Sequence, residues 1–300
     1  MSRQRAAATA ERARGVMLGL AVGDALGAAV EWLHPVQIRA RYGGALCDMV
    51  ESATWQRGEW TDDTAMALEL ATSMAEKGVY DEDDVFSRYV MWARSGPKDI
   101  GSTISAALMR ARTVAEARAA AAEFHRRSGG KSAGNGSLMR TAPISLRYRT
   151  DPGAVERISR LESSLTHHDP LAGDACTWLN LTLAALICGR RLPHSTSTVG
   201  RAAQDALTAS PEVLAAEAQE QMGYVLTALR IGFAAAFGQA DFESAVVFAV
   251  NLGGDADTNG AVAGALAGGR FGAGAIPERW IEPLLARERI GGLANRLLRV

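Results

Sequence analysis

The stretch DFESAVVFAVNLGGDADTNGAVAGALAGG, residues 241–269, holds two helices and the loop between them. Asp241 suits a helix N-cap, and Phe242, Ala245, Val246, Ala249 and Val250 follow the i, i+3, i+4, i+7, i+8 spacing of a buried helical stripe. Gly253 can end that helix. The tract beyond it is built from Gly, Ala and small apolar residues, yet it contains Asp255 and Asp257. Carboxylates in such a setting lose hydration, and a bound cation is the obvious compensation. The spacing Asp255-x-Asp257-x-Asn259-Gly260 opens like an EF-hand loop, but the twelfth position is Leu266 rather than Glu, and the flank is an Ala/Gly helix, so that reading fails.

Working outward, Ala and Leu dominate, β-branched runs are scarce and the apolar spacing is repeatedly helical, which predicts an all-α, compact multi-helix bundle. Helices are expected near 10–30, 63–77, 82–94, 101–110, 113–127, 171–189, 212–237, 241–251, 258–269 and 282–298. The turn-forming stretches between them, such as SGGKSAGNG, TDPG and RLPHSTST, are too short for interdomain linkers, and no repeat of 20–50 residues is present. A single domain over 1–300 is the simpler organisation. Gly19, Gly23 and Gly27 share one helical face, as do Gly260, Gly264 and Gly268, which predicts close helix packing around a cleft.

Lys plus Arg total 32 against 33 Asp plus Glu, so no charge excess steers the chain to nucleic acid or an anionic membrane. Three cysteines without CxxC spacing suit free thiols in a reducing compartment, and a cytoplasmic location is expected. The basic N-terminus runs into Asp24 and Glu31 without a clean apolar segment. The uncharged stretch Ala175–Gly189 is short for a bilayer span and reads as a buried helix.

A second acidic cluster lies in GEWTDDTAMALELATSM, where Thr61, Asp62, Asp63 and Thr64 open a helix with the stripe Ala67, Leu70, Ala71, Met74. Alone, Thr61 or Asp257 reads as an ordinary N-cap. Two Thr/Asp clusters at two helix starts suggest more. If the ends meet, they offer four carboxylates and two hydroxyls, a hard oxygen set that suits two Mg²⁺ or Mn²⁺ ions in a dinuclear centre rather than zinc. The denser run Asp81–Asp84 has no hydroxyl partners and reads as a solvated helix start.

In order along the chain, GLAVGDALGAAVEW, WTDDTAMAL, KDIGSTISAAL, GNGSLMRTAPIS, LTHHDPLAGDA, GYVLTALRIGFAAAF and NLGGDADTNGAVAGALAG resemble the ADP-ribosylglycohydrolases, the relatives of dinitrogenase reductase-activating glycohydrolase, over about 14–285. The resemblance implies an all-α domain with a dinuclear Mg²⁺ or Mn²⁺ centre that removes ADP-ribose from a modified side chain or small acceptor. It implies metal ligation by Thr61, Asp62, Asp63, Asp255, Asp257 and Thr258, and catalytic roles for Glu31, Asp62 and Asp99. Without the family pattern, Glu31 would read as solvent-facing and Asp99 as a helix cap. The Gly-rich SAGNGS tract is no P-loop, but its backbone amides suit a diphosphate, and Ser132, Gly134, Asn135, Gly136 and Ser137 are the candidate phosphate and ribose contacts. The match extends to His167 as a substrate contact, and Tyr224 could stack on adenine.

The implied activity is metal-dependent hydrolysis of the glycosidic bond that joins ADP-ribose to its acceptor, by a monomer without membrane attachment, with nucleic acid entering only as an ADP-ribosylated substrate. The rival is a protein of the same fold that binds ADP-ribose, or serves as scaffold, without turnover. A metal-dependent phosphohydrolase with the same ligands fits the ordered motifs less well. KSA before GNG lacks the aromatic found there in some relatives, and HHDP differs from the nitrogenase-regulating ones, which leaves the acceptor open.

Overall fold

A computed structural model describes residues 3–194 and 196–299. Sixteen α-helices occur among these residues: α1 Arg3–Gly27, α2 Pro35–Tyr42, α3 Asp62–Lys77, α4 Glu82–Arg94, α5 Ser102–Leu108, α6 Val114–Arg127, α7 Pro143–Arg147, α8 Pro152–Ser163, α9 Pro170–Cys188, α10 Thr198–Asp205, α11 Pro211–Glu220, α12 Val225–Gly238, α13 Phe242–Asn251, α14 Ala256–Phe271, α15 Glu278–Ile281 and α16 Arg287–Leu298. No strand forms among them. One isolated bridge joins Gly134 to Tyr224.

At the centre, α1 and α14 run antiparallel with glycine against glycine. A Cβ placed on Gly15, Gly19 or Gly23 would strike the backbone of Gly268, Gly264 or Gly260 respectively, and the reverse substitutions strike back. Only hydrogen side chains permit this approach, and one turn of helix separates successive contacts. Around this pair, α12 and α13 cover α14, while α16 covers α1. The apolar stripe Ala67, Leu70, Ala71, Met74 of α3 is buried, as is that of α13. Helix α9 is long and apolar enough to cross a membrane by length and composition, but 72% of its most apolar window is buried inside the fold.

Several boundaries differ from the sequence reading. The helix expected over 212–237 is two, α11 and α12, because Gly223 takes a positive φ of 74° and turns the chain. TDPG is a helix start as well as a turn: Asp151 caps Ala154 and Pro152 occupies the first helical position, launching the unanticipated α8. Ser197 likewise caps α10 inside a stretch read as a loop. Helices α2, α7 and α15 are four to eight residues long, too short to leave a clear period. The acidic run at 81–84 behaves as an ordinary helix start, with Asp81 capping Asp84.

Candidate functional site

The central pair carries its polar groups to one end. Asp24, in the last turn of α1, is fully buried, and its carboxylate accepts Thr61 N–H at 2.9 Å, Thr64 N–H at 3.0 Å and the Thr64 hydroxyl at 2.5 Å. It therefore holds the N-terminus of α3 from outside that helix, where free N–H groups and the helix dipole favour an anion. Burial pushes its pKa up to about 6 despite these bonds. The sequence reading missed this role. The available signal was the same as for Asp255: a lone acid inside an uncharged Gly/Ala stretch.

Past Gly27 the chain turns, and Trp32 N–H donates to Gly254 O at 2.7 Å while Gly254 N–H donates to Leu33 O at 3.0 Å. Trp32 adopts φ 66°, an uncommon conformation for a bulky residue. This clasp sets Glu31 beside the start of α14. There the Thr258 hydroxyl donates to Asp63 Oδ1 at 3.2 Å, so the two Thr/Asp clusters meet.

The capping explanation divides between them. Thr61 is the N-cap of α3, and its hydroxyl accepts Asp63 N–H at 3.4 Å. Asp255 holds the N-cap position of α14 but makes no capping bond; instead it accepts Asn135 Nδ2 at 2.7 Å. Asp257 accepts Thr258 N–H at 2.9 Å. Asp62 accepts Gly101 N–H at 3.3 Å.

A cavity of about 320 Å³ opens here, lined by Glu31, Asp62, Asp99, Asp255, Asp257 and Thr258 on one side and by Gly134, Asn135, Gly136 and His167 on another. No Lys or Arg is among its lining residues. Burial, with no positive charge to offset it, and then neighbouring acids hold Glu31, Asp62, Asp63, Asp99 and Asp257 above the ordinary carboxylate range. Burial, then the charges of Asp99, Asp255 and Asp62, raise Glu31 to about 8. Burial, then Asp99 and Asp24, raise Asp62 to about 8. Asp63 and Asp257 lie well above the ordinary carboxylate range for the same two reasons, and Asp99 is raised by burial foremost.

The remaining candidates do not line this cavity. Thr61 borders a neighbouring recess with Trp55, Trp60 and Trp92, which Asp62 and Asp99 share. Asp63 lies behind Thr258, and its Oδ2 is buried without a partner. Ser132 and Ser137, expected as substrate contacts, have hydrogen-bond partners within the protein. Ser132 Oγ bonds His125 Nδ1, and Ser137 Oγ accepts from Ser163 deep in the core, with the Cys176 thiol beside it. Tyr224, expected to stack on adenine, pairs through its backbone with the Gly134 loop, and its neighbours Met222 and Gly223 line the cavity. Trp32, Thr103 and Met139 also line the cavity; each lies inside one of the family motifs, but residue type alone assigned it no role.

The donor chemistry fits a hard divalent cation: oxygen ligands only, uncompensated negative charge and an orphaned buried oxygen on Asp63. One oxygen each from Glu31, Asp99 and Asp257 lie within 4.8 Å of one another and could hold a single ion. This set differs from the six ligands expected from sequence and shares only Asp257 with them.

His167 is buried beneath the loop, and burial plus the Arg140 charge push its pKa down to about 3, so the ring is neutral. The Arg140 guanidinium is itself fully buried and pairs with Glu162 Oε1 at 2.6 Å.

The pattern of the family described as ADP-ribosylglycohydrolase matches residues 5–300. The chain is 33% identical over 277 residues to the ADP-ribosyl-[dinitrogen reductase] glycohydrolase of Rhodospirillum rubrum, covering 91% of this chain and 90% of that protein. It is 31% identical to the ADP-ribosylarginine hydrolase Tri1 of Serratia proteamaculans, over 96% of this chain and 79% of the relative. The human ADP-ribosylhydrolase ARH3 is 27% identical, with 98% and 95% covered. A solved structure described as an ADP-ribosylglycohydrolase-related protein complex superposes with a TM-score of 0.76 at 33% identity, covering 97% of this chain and 98% of that one.

Proposed function

The chain belongs to the ADP-ribosylglycohydrolase family, and from that premise we propose that it is a metal-dependent hydrolase that cleaves the glycosidic bond between ADP-ribose and a modified side chain or small acceptor. The observation that carries this reading is the convergence of Glu31, Asp62, Asp99, Asp255 and Asp257 on one cavity without Lys or Arg. Two Mg²⁺ or Mn²⁺ ions, held by Thr61, Asp62, Asp63, Asp255, Asp257 and Thr258, would balance that charge and give the orphaned Asp63 oxygen a partner. When bound, such ions supply positive charge that orients substrate oxygens and eases deprotonation of water.

The chain's own residues do the rest. Glu31 keeps a proton to unusually high pH and stands at the cavity edge, which suits proton transfer to or from the group that leaves C1 of the ribose. Asp99, beside it, sustains that raised pKa and orients the polar groups there. The diphosphate finds no cationic side chain, so neutral donors must hold it: the Gly136 N–H, since those of Gly134 and Asn135 already donate to Ser132 O and Gly223 O, and the His167 ring. Asn135 ties that loop to Asp255, which keeps phosphate and ribose subsites in register. The reading takes the whole chain as a single domain and a cytoplasmic monomer, with nucleic acid admitted only as an ADP-ribosylated substrate.

The test is ADP-ribose release from arginine-, serine- and DNA-linked substrates, with Mg²⁺ or Mn²⁺ and with EDTA, for wild type and Asp257→Ala. Metal-dependent release from one linkage, lost in the variant, is the expected result. Binding of ADP-ribose without release from any linkage would replace the hydrolase by a binding module.

A further inference from the structure

The wall of the cavity opposite the acids is held by a buried chain of hydrogen bonds that the reaction itself does not use. Arg140 Nε donates to Glu162 Oε1 at 2.6 Å, and Tyr89 Oη donates to the same oxygen at 2.9 Å. The guanidinium lies over the Tyr89 ring, 4.7 Å from its centre. Its Nη1 donates to Gly136 O at 3.3 Å and its Nη2 to the Thr166 hydroxyl oxygen at 2.9 Å. That hydroxyl lies 2.8 Å from His167 Nδ1. One buried cation therefore grips the Gly-rich loop and, through Thr166, the imidazole.

The direction of each bond follows from valence. A guanidinium has no acceptor, so Thr166 must accept from Arg140. Thr166 is fully buried, and its hydroxyl proton has one acceptor within reach among the described residues, His167 Nδ1. Were Nδ1 to carry a proton instead, the hydroxyl would accept twice and its own proton would be stranded in the core, a costly arrangement. Nδ1 is thus the acceptor, and the neutral ring carries its proton on Nε2. A Cβ built on Gly134 would lie 3.3 Å from Nε2, which places that atom at the loop lining the cavity. Among the described residues Nε2 has no hydrogen-bond partner.

We infer that Arg140 and Thr166 are positioning residues that lock His167 as the Nε2–H tautomer, a fixed neutral donor to an anionic oxygen of the ligand, rather than a general acid or base. The site it serves rests on the ADP-ribose reading above. The chemistry it recognises is a phosphate or ribose oxygen that needs a donor where no cationic side chain is offered.

The experiment combines ¹⁵N-histidine NMR with titration of ADP-ribose in Mg²⁺, on wild type, Thr166→Val and Thr166→Ser. In wild type, long-range ¹H–¹⁵N spectra should show His167 with a pyridine-like Nδ1 and a protonated Nε2, unchanged between pH 5 and 8. Thr166→Val should weaken ADP-ribose binding about tenfold, the order expected when one donor is no longer held in place, and Thr166→Ser should restore it to within about twofold. A protonated Nδ1, or a mixture of tautomers in wild type, overturns the relay even if ADP-ribose binds. Equal affinity in all three proteins overturns the positioning role. Absence of ADP-ribose binding by wild type with the Nε2–H tautomer present overturns the functional reading and the ligand role, while the relay stands.

Discussion

Substituting Gly264 by Ala tests whether contact between main chains sets the geometry of the site. The new Cβ would lie 2.0 Å from Gly19 O and 2.7 Å from its carbonyl carbon. To reach even about 3.0 Å the two helices must part by roughly 1 Å, because backbone atoms in a close-packed interior cannot rotate aside as a side chain could. Overpacking of an ordinary core costs about 1–3 kcal/mol, and this case should lie at or above the upper end. For a chain of this length the unfolding entropy is about 0.6 kcal/mol/K, so 3 kcal/mol lowers Tm by about 5 °C. Gly292→Ala is the control: it also sits within a helix, but no heavy atom lies within 4 Å of its Cβ, so only helix propensity acts and Ala should stabilise by about 0.5–1 kcal/mol. Scanning calorimetry of both variants, with and without Mg²⁺, reads the difference. If Gly264→Ala melts with or above Gly292→Ala, the close-contact reasoning is wrong.

Three further outcomes are expected. In metal-free protein the acids with raised pKa values, Glu31 and Asp62 at about 8, contribute stability that is full below their unfolded values near 4 and is lost as pH rises through 8. Tm in EDTA should therefore fall from pH 5 to 9, and Mg²⁺ should raise it most at the alkaline end; a Tm in EDTA that rises with pH contradicts this. Asp24→Asn sets an amide group against N–H donors of Thr61 or Thr64, so it should cost about 1–3 kcal/mol and weaken Mg²⁺ binding although Asp24 does not line the cavity, as calorimetric titration can determine. Asn135→Ala frees Asp255 from the loop and should weaken ADP-ribose binding about fivefold to tenfold, whereas unchanged affinity would mean that the loop holds its place without Asp255.

The two acidic clusters and the helical class were legible because each leaves a local trace, a period of 3.6 or a Thr/Asp pair before an apolar stripe. Asp24 was not, since its partners lie 37 and 40 residues away and no spacing rule connects a buried acid to a distant helix end. Ser137 shows the opposite difficulty. A hydroxyl in a Gly-rich loop looks available, but its direction is decided by Ser163 and Cys176, which pack from other helices. The break before α12 needed knowledge that Gly223 adopts a positive φ, which the apolar period on either side conceals. The relay through Arg140 likewise joins residues from three separate segments, and only the folded chain assembles it.

The glycine seam between α1 and α14 divides the site into two kinds of material with different freedom to diverge. Asp24 and Asp257 stand on helices whose separation is fixed by main-chain contact, so exchanges of neighbouring side chains leave their spacing unaltered. Trp32, Met222 and Trp60 stand outside the helices, in the connections before α2, α12 and α3, and nothing in the seam constrains which side chains they carry. A lineage can therefore rewrite those connections while inheriting the acidic cradle intact. Relatives with one fold and different acceptors are the expected product of such a scaffold.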